Sequence, residues 1–263
     1  NSGYLVDIDP ITENQKKLFD SYAEQKNIVA YGCAGTGKTF ITLFNSLKDV
    51  LSEYTPYEKI YIVRSLVATR EIGYLPGSHE DKSDIYQIPY KNMVKYMFQM
   101  PSDADFEMLY GNLKAQETIK FWSTSFLRGT TLDNAIVIVD EFQNMNFHEL
   151  DSIITRVGEN TKICFCGDAR QSDLQKQNER NGIVDFMNIL RKMSSFDIIE
   201  FGIEDIKRIS YSKNGSRYVM FNHVDVDLPD LERETIDGVR YYKVPSEKEL
   251  LRLVSITSVT SHY

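Results

Sequence analysis

Five short apolar runs recur along the chain, at Asn27–Tyr31, Ile60–Arg64, Ala135–Asp140, Lys162–Cys166 and Asp197–Phe201. Each is continuous rather than alternating, and each is too short for a buried helix. Between them lie segments with helical spacing, clearest where Phe40, Leu43, Phe44, Leu47, Val50 and Leu51 share one face. Continuous apolar strands are buried on both faces, and their alternation with helices predicts an α/β fold, a parallel sheet flanked by helices. Ligands of such sheets sit at the carboxyl ends of the strands. Gly32, Arg64, Asp140 and the pair Gly167-Asp168 all fall there, so one site is expected to collect polar residues from four strands.

Two stretches break the pattern. Residues 76–115, with Pro76, Gly77, Pro89 and Pro101 and a helix-like Tyr90–Met100, read as an insertion packed beside the sheet. After Arg208 the character becomes that of hairpins: residues 210–219 centre on an Asn214-Gly215 turn, and a second turn falls at Asp237-Gly238. The expected organisation is a nucleotide-binding domain over residues 1–208 and a β-rich tail over 209–263.

Composition narrows the class. A chain of 263 residues with 42% hydrophobic content can bury a substantial core. The three cysteines, Cys33, Cys164 and Cys166, lack zinc-ligand spacing and point to a reducing compartment without disulfides. No apolar run approaches the ~18 residues of a membrane span and no leader pattern is present, so a cytoplasmic location away from membranes is expected. The net charge of -8 is uneven, because residues 207–263 carry nine basic and eight acidic side chains, leaving 21 basic against 30 acidic upstream. Such a field repels nucleic acid except along a local basic strip. Lys82, Tyr90, Lys91, Lys95 and Tyr96 offer such a strip, with cations for phosphates and rings for stacking. The alternative is that these tyrosines are core and the lysines a solvated edge.

The sharpest chemical signal is Gly32-Cys33-Ala34-Gly35-Thr36-Gly37-Lys38-Thr39, which fits the phosphate-binding G-x-x-x-x-G-K-[ST] loop and lies between a predicted strand and a predicted helix. Its glycines let successive backbone N–H groups point at a phosphate, with the helix N-terminus adding partial positive charge. Lys38 supplies a point charge for the β/γ-phosphates, and the Thr39 hydroxyl suits Mg2+. The run Ala135–Val139 ends in Asp140-Glu141, a strand delivering two acids. Asp140 is expected to hold Mg2+ through water and Glu141 to orient and deprotonate the attacking water. Gln171, after Gly167-Asp168, could hydrogen-bond the γ-phosphate or its water. Gln15 has two readings: an amide pairing with both edges of adenine, or a capping residue with Thr12 as N-cap.

Together these residues resemble the PhoH-like family, P-loop ATPases whose core resembles that of superfamily 1 helicases, and the style is similar to phage-encoded members. The resemblance rests on residues 32–39; Ile62-Val63-Arg64-Ser65; Ile72–Gly77 with its Leu-Pro-Gly; Lys82 with Pro89-Tyr90; Leu127–Leu132 with its Arg-Gly-Thr; Asp140–Asn144; Thr155–Gly158; Gly167-Asp168 with Gln171, Asp173 and Leu174; and Phe201–Ile206. It implies an ATP hydrolase using ATP and Mg2+, coupled to single-stranded RNA or DNA. The family often joins this core to an amino-terminal PIN-type nuclease or RNA-binding domain, and neither is read here, so nuclease activity is not carried over. One nucleotide-binding core has no second core to move against, so a homo-oligomer, favoured as a ring, is expected. An arginine acting across the interface then completes the site, with Arg64, Arg128, Arg156 and Arg208 as candidates and Arg208 preferred. The competing classes are a small-molecule kinase, against which Glu141 beside Asp140 argues, and a nucleotide-dependent switch.

Overall fold

The computed structural model describes residues 5–65, 79–124, 129–205, 209–213, 216–219, 232–236 and 239–244; side chains are described within these except at 79–85, at 203 and, beyond 205, everywhere but at 232, 242 and 243. The expected strands are present as β1 (Asn27–Gly32), β2 (Lys59–Arg64), β4 (Ala135–Asp140), β5 (Lys162–Gly167) and β6 (Phe196–Phe201). A sixth, β3 (Ile119–Ser123), was not anticipated. All six pair in parallel in the order β3-β2-β4-β5-β1-β6. The fold is α/β, a six-stranded parallel sheet flanked by helices.

Side-chain alternation along each strand divides the interior in two. On one face Ile28, Ala30, Ile60, Ile62, Ile136, Ile138, Cys164 and Cys166 pack against α1 (Glu13–Ala23), α2 (Lys38–Val50), α3 (His79–Met97) and α4 (Asp103–Ala115). On the other, Val29, Val63, Val137, Val139, Ile163 and Phe165 meet α5 (Phe147–Ile154), α6 (Gln171–Asn181) and α7 (Ile183–Arg191). Burial on both faces explains why these strands lack a polar alternation. The insertion packs beside the sheet and contributes to this core: Tyr90, Val94 and Met97 of α3 and Phe106, Tyr110 and Leu113 of α4 are all buried in the first cluster.

Sheet order positions the site. β5 lies between β1 and β4, and Ala30, Cys166 and Asp140 share one level across the three strands. The loop after β1 and the acids ending β4 are therefore two strand spacings apart, about 10 Å, with the end of β5 between them. Gly32 makes the loop's departure possible. Its φ is +128°, and a Cβ there would lie 2.0 Å from the Phe201 carbonyl oxygen of β6.

The tail forms the two expected hairpins. β7 (Ile209–Lys213) pairs antiparallel with β8 (Ser216–Val219), closing with Lys213 opposite Ser216, and β9 (Arg233–Ile236) with β10 (Val239–Val244), closing with Ile236 opposite Val239. Both turn dipeptides lie outside the described residues. The strands join in one sheet of order β7-β8-β10-β9.

Replacing Gly32 with Ala forces a Cβ onto the backbone of β6 in a left-handed conformation. A loss of about 3 kcal/mol is expected, read as a melting temperature lowered by roughly 6–12 °C in thermal unfolding. A parental melting curve would show that the β1–β6 contact relaxes freely.

Candidate functional site

The loop between β1 and α2 closes on its own lysine. Lys38, the first residue of α2, is buried, and its Nζ donates to the Cys33 carbonyl (2.6 Å) and to Thr36 Oγ1 (3.0 Å). Thr36 Oγ1 in turn donates to the Cys33 carbonyl (2.9 Å). Gly37, with φ +87°, caps α2 without a side chain, leaving the first N–H groups of the helix without a side-chain partner at this end. A further contact of Lys38 is an ion pair with Asp168 Oδ1 at 2.8 Å, from the turn after β5.

Gln15 sits behind this loop. Its backbone N–H donates to Thr12 Oγ1 (3.1 Å) and its Oε1 accepts from the N–H groups of Ile11 (2.8 Å) and Thr12 (3.3 Å), a capping box at the start of α1. Its Nε2 donates to the Thr36 carbonyl (2.9 Å). The amide thus serves as cap and as tether of the loop, and pairing both its ends with adenine would require the capping box to open.

The second half of the site is acidic. Asp140, at the end of β4, accepts from Thr39 Oγ1 (3.0 Å) and from the Glu141 N–H (3.0 Å) on Oδ1, and from the Tyr90 hydroxyl of α3 on Oδ2. Burial, then the Asp140 charge, keeps the Tyr90 phenol pKa well above its ordinary value, so its proton stays in place for that bond. Glu141 has φ +56°, a left-handed conformation uncommon for a residue with a side chain. Its Oε2 accepts from Gln143 Nε2 (3.1 Å) and Asn144 Nδ2 (3.4 Å) of the short 3-10 helix Phe142–Asn144. Burial, followed by the Asp140 and Asp168 carboxylates, pushes the Glu141 pKa up to about 7, against the opposing Arg64 charge and the Gln143 bond. A carboxylate poised near neutrality suits a general base.

Arg64, at the end of β2, balances these acids. Burial disfavours its charge, but Tyr90, Asp140, Glu141 and Tyr86 outweigh this and hold its pKa above the ordinary value. Its guanidinium lies 5.3 Å from the centre of the Tyr86 ring. Arg64 therefore lies among the acids and tyrosines at this end of the sheet.

The remaining expected positions divide. Lys38, Thr39, Asp140 and Glu141 converge. Gln171 begins α6, and its Oε1 is a buried acceptor without a partner, as is Gln143 Oε1. Arg156 lies beside Leu132 at the amino ends of the strands, away from this loop. Arg128 and Arg208 lie outside the described residues. The basic strip is altered by its surroundings: Tyr90 is buried and faces Asp140, which removes it from base stacking, while Lys91 pairs with Glu107 and Lys95 with Asp103 of α4, each at 2.8 Å. Tyr96 remains about half exposed, with its edge on Phe40, and the Lys82 side chain lies outside the described residues. Sequence reasoning placed Asp168 at the site without naming its partner, put Tyr90 in the basic strip rather than beside Asp140, and gave Gln143 no role of its own. Asp168 follows a strand end and Gln143 follows the two acids, signals that were available; nothing in the spacing of Tyr90 marks it.

The donor set fits a small hard cation. A hydroxyl and a carboxylate in contact, Thr39 and Asp140, are the few protein oxygens Mg2+ takes when phosphates and waters complete its shell. Among the described residues no group of three or more His, Cys, Asp or Glu forms an all-protein cage, and no helix is long and apolar enough to cross a membrane.

A glycine loop running into a helix from a central parallel strand, with its lysine buried and its threonine on the acid of a second strand, defines a P-loop nucleotide-binding protein. Residues 7–218 match the family described as PhoH-like protein, and the chain belongs to that family. A PhoH-like protein of Mycobacterium leprae is 28% identical over 200 residues, covering 76% of this chain and 54% of that protein. Protein PhoH of Escherichia coli is 28% identical over 198 residues, covering 74% and 53%. The chain spans about half the length of these relatives. Among solved structures, the large terminase of a thermophilic bacteriophage aligns over 78% of this chain and 48% of its own, with 14% identity and a TM-score of 0.44.

The raised pKa of Glu141 carries a stability signature. Between 4.5 and about 7 the folded protein keeps a proton that the unfolded chain has lost, so stability falls as pH rises through that window. Glu141→Gln should flatten that part of the profile in nucleotide-free denaturant titrations. Identical slopes in the two proteins would mean that the carboxyl is not held protonated.

Proposed function

We propose that this protein is a Mg2+-dependent ATPase whose catalytic centre is the junction of the β1–α2 loop with Asp140 and Glu141. The observation that carries the proposal is the Thr39–Asp140 hydrogen bond at 3.0 Å, which brings the phosphate loop and the acidic strand end into one site. In this reading the backbone of Gly32–Thr39 wraps the β-phosphate, and Lys38 exchanges its Asp168 partner for phosphate oxygens. Thr39 and Asp140 would hold Mg2+, which would supply positive charge to offset that of the phosphates. Glu141 takes the proton of the attacking water, fixed in orientation by Gln143 and Asn144. Gln171 accepts a hydrogen bond from that water or reports on the γ-phosphate. Gln15 supports the loop and leaves one Nε2 hydrogen for the base. A kinase fits less well, because a base beside the metal-holding aspartate wastes ATP on water.

The unit doing this work is proposed to be residues 1–208, with 209–263 as a β-rich appendage. Turnover is proposed to be coupled to single-stranded RNA or DNA in a homo-oligomer, a reading supported by membership of the PhoH-like family. Arg208 is the proposed arginine supplied to a neighbouring subunit.

Lys38→Ala should lose nucleotide binding, whereas Glu141→Gln should keep it and lose hydrolysis by about 100-fold or more, the range for removing a general base. Calorimetric titration with ATP and a phosphate-release assay separate the two. Equal loss of affinity in both variants would overturn the assignment. Asp168→Asn frees the Lys38 ammonium from its competitor and should tighten ADP binding by several-fold, the scale of a partly exposed ion pair at about 1 kcal/mol. Weaker ADP binding by Asp168→Asn would mean that Asp168 orders the loop instead of competing with phosphate.

A further inference from the structure

Helix α3 turns two tyrosines, one helical turn apart, toward the acidic end of the sheet. Tyr86 lies on the Arg64 guanidinium, and Tyr90 donates its hydroxyl to Asp140 Oδ2. Tyr90 is buried with its ring 5.6 Å from that of Phe121 on β3, while its hydroxyl makes the bond to Asp140. Asp140 Oδ1 is meanwhile taken by Thr39 Oγ1 and the Glu141 N–H. The carboxylate is thus held at both oxygens, one from the loop side and one from α3.

We infer that Tyr90 is a positioning residue for the metal-holding carboxylate, fixing the plane of Asp140 so that Oδ1 stays directed at Thr39. This rests on the ATPase reading above for the identity of the metal site. The physical argument is competition. Arg64 lies near enough to Asp140 to be influenced by its charge. Without the phenol, Oδ2 has no donor of its own, and rotation toward the guanidinium becomes its best substitute. That rotation carries Oδ1 away from Thr39 and opens the oxygen pair that suits Mg2+. Partners that orient a metal-holding side chain typically change metal affinity by about 10–100-fold when removed.

The test is Tyr90→Phe in the full chain, which keeps the buried ring and removes only the hydroxyl. Binding of a non-hydrolysable ATP analogue is measured by calorimetry across a Mg2+ series and in EDTA, and Mn2+ binding in the presence of ADP by electron paramagnetic resonance. The expected result is a metal midpoint raised about tenfold, with analogue affinity in EDTA unchanged. Phe121→Leu, which loosens the ring contact but keeps the hydroxyl, should retain the parental midpoint. An unshifted midpoint in Tyr90→Phe overturns the role, and so does an equal shift in Phe121→Leu, which would assign the effect to packing. If the parent chain itself shows no metal-dependent binding of the analogue, the ATPase reading fails first; if it does and Tyr90→Phe matches it, the positioning role fails alone.

Discussion

Charge crowding at the carboxyl edge of the sheet governs this molecule more than any single contact. Three carboxylates, Asp140, Glu141 and Asp168, stand together, with Lys38 and Arg64 among the cations set against them. Buried like charges are costly, and the site answers in different ways at each. Asp168 takes the Lys38 ammonium, Asp140 gathers three hydrogen-bond donors, and Glu141 keeps its proton up to about 7. Without ligand the lysine is spent on an internal acid. Under the proposed function, a polyphosphate with its cation would change this balance, since the phosphate would take the ammonium while the metal's charge would favour ionised Asp140 and Glu141.

That arrangement depends on strand order. Were β1 and β4 adjacent, the loop and the acids would abut directly and the end of β5 would lie elsewhere. With β5 between them, Asp168 and the start of α6 enter the space where the two halves meet. Gln171 opens α6 after the same short turn, and its Oε1 is a buried acceptor without a partner. The left-handed Glu141 belongs to the same geometry, because it turns the chain at once from β4 into the 3-10 helix whose Gln143 and Asn144 hold the Glu141 carboxylate.

Five strands, the loop and the two acids were legible because each is a local signal, an apolar run or a fixed spacing. β3 was missed because it is an edge strand: only Ile119 is buried, Lys120 interrupts the run, and the segment lacks the continuity that marks its neighbours. The insertion was visible as an interruption, with Tyr90 as core in one of its two readings, but α4 was not, since its buried positions, Phe106, Tyr110 and Leu113, stand among acids and polar residues that dilute their periodicity. The pairings Lys38–Asp168 and Tyr90–Asp140 were not legible at all. They join residues 130 and 50 positions apart, and only strand order and the packing of α3 bring them together. Gln15 was ambiguous in sequence, since its capping box reads locally whereas its bond to the Thr36 carbonyl is long-range.

The two faces of α3 link these observations. Its inner face carries Tyr86 and Tyr90 to the acids, while its outer face carries Lys91 and Lys95, each paired with an acid of α4 and each with its ammonium over a ring, Tyr110 or Phe106. Exposed pairs of this kind contribute at most about 1 kcal/mol, and screening weakens them further. Glu107 and Asp103 therefore mask the strip; under the proposed function, nucleic-acid phosphates compete with them for both lysines. Any occupant that draws α3 outward pulls on the helix that also holds Asp140. Under the proposed function, the coupling between nucleic acid and hydrolysis needs no long relay, because α3 carries both the lysines and the tyrosine bonded to Asp140.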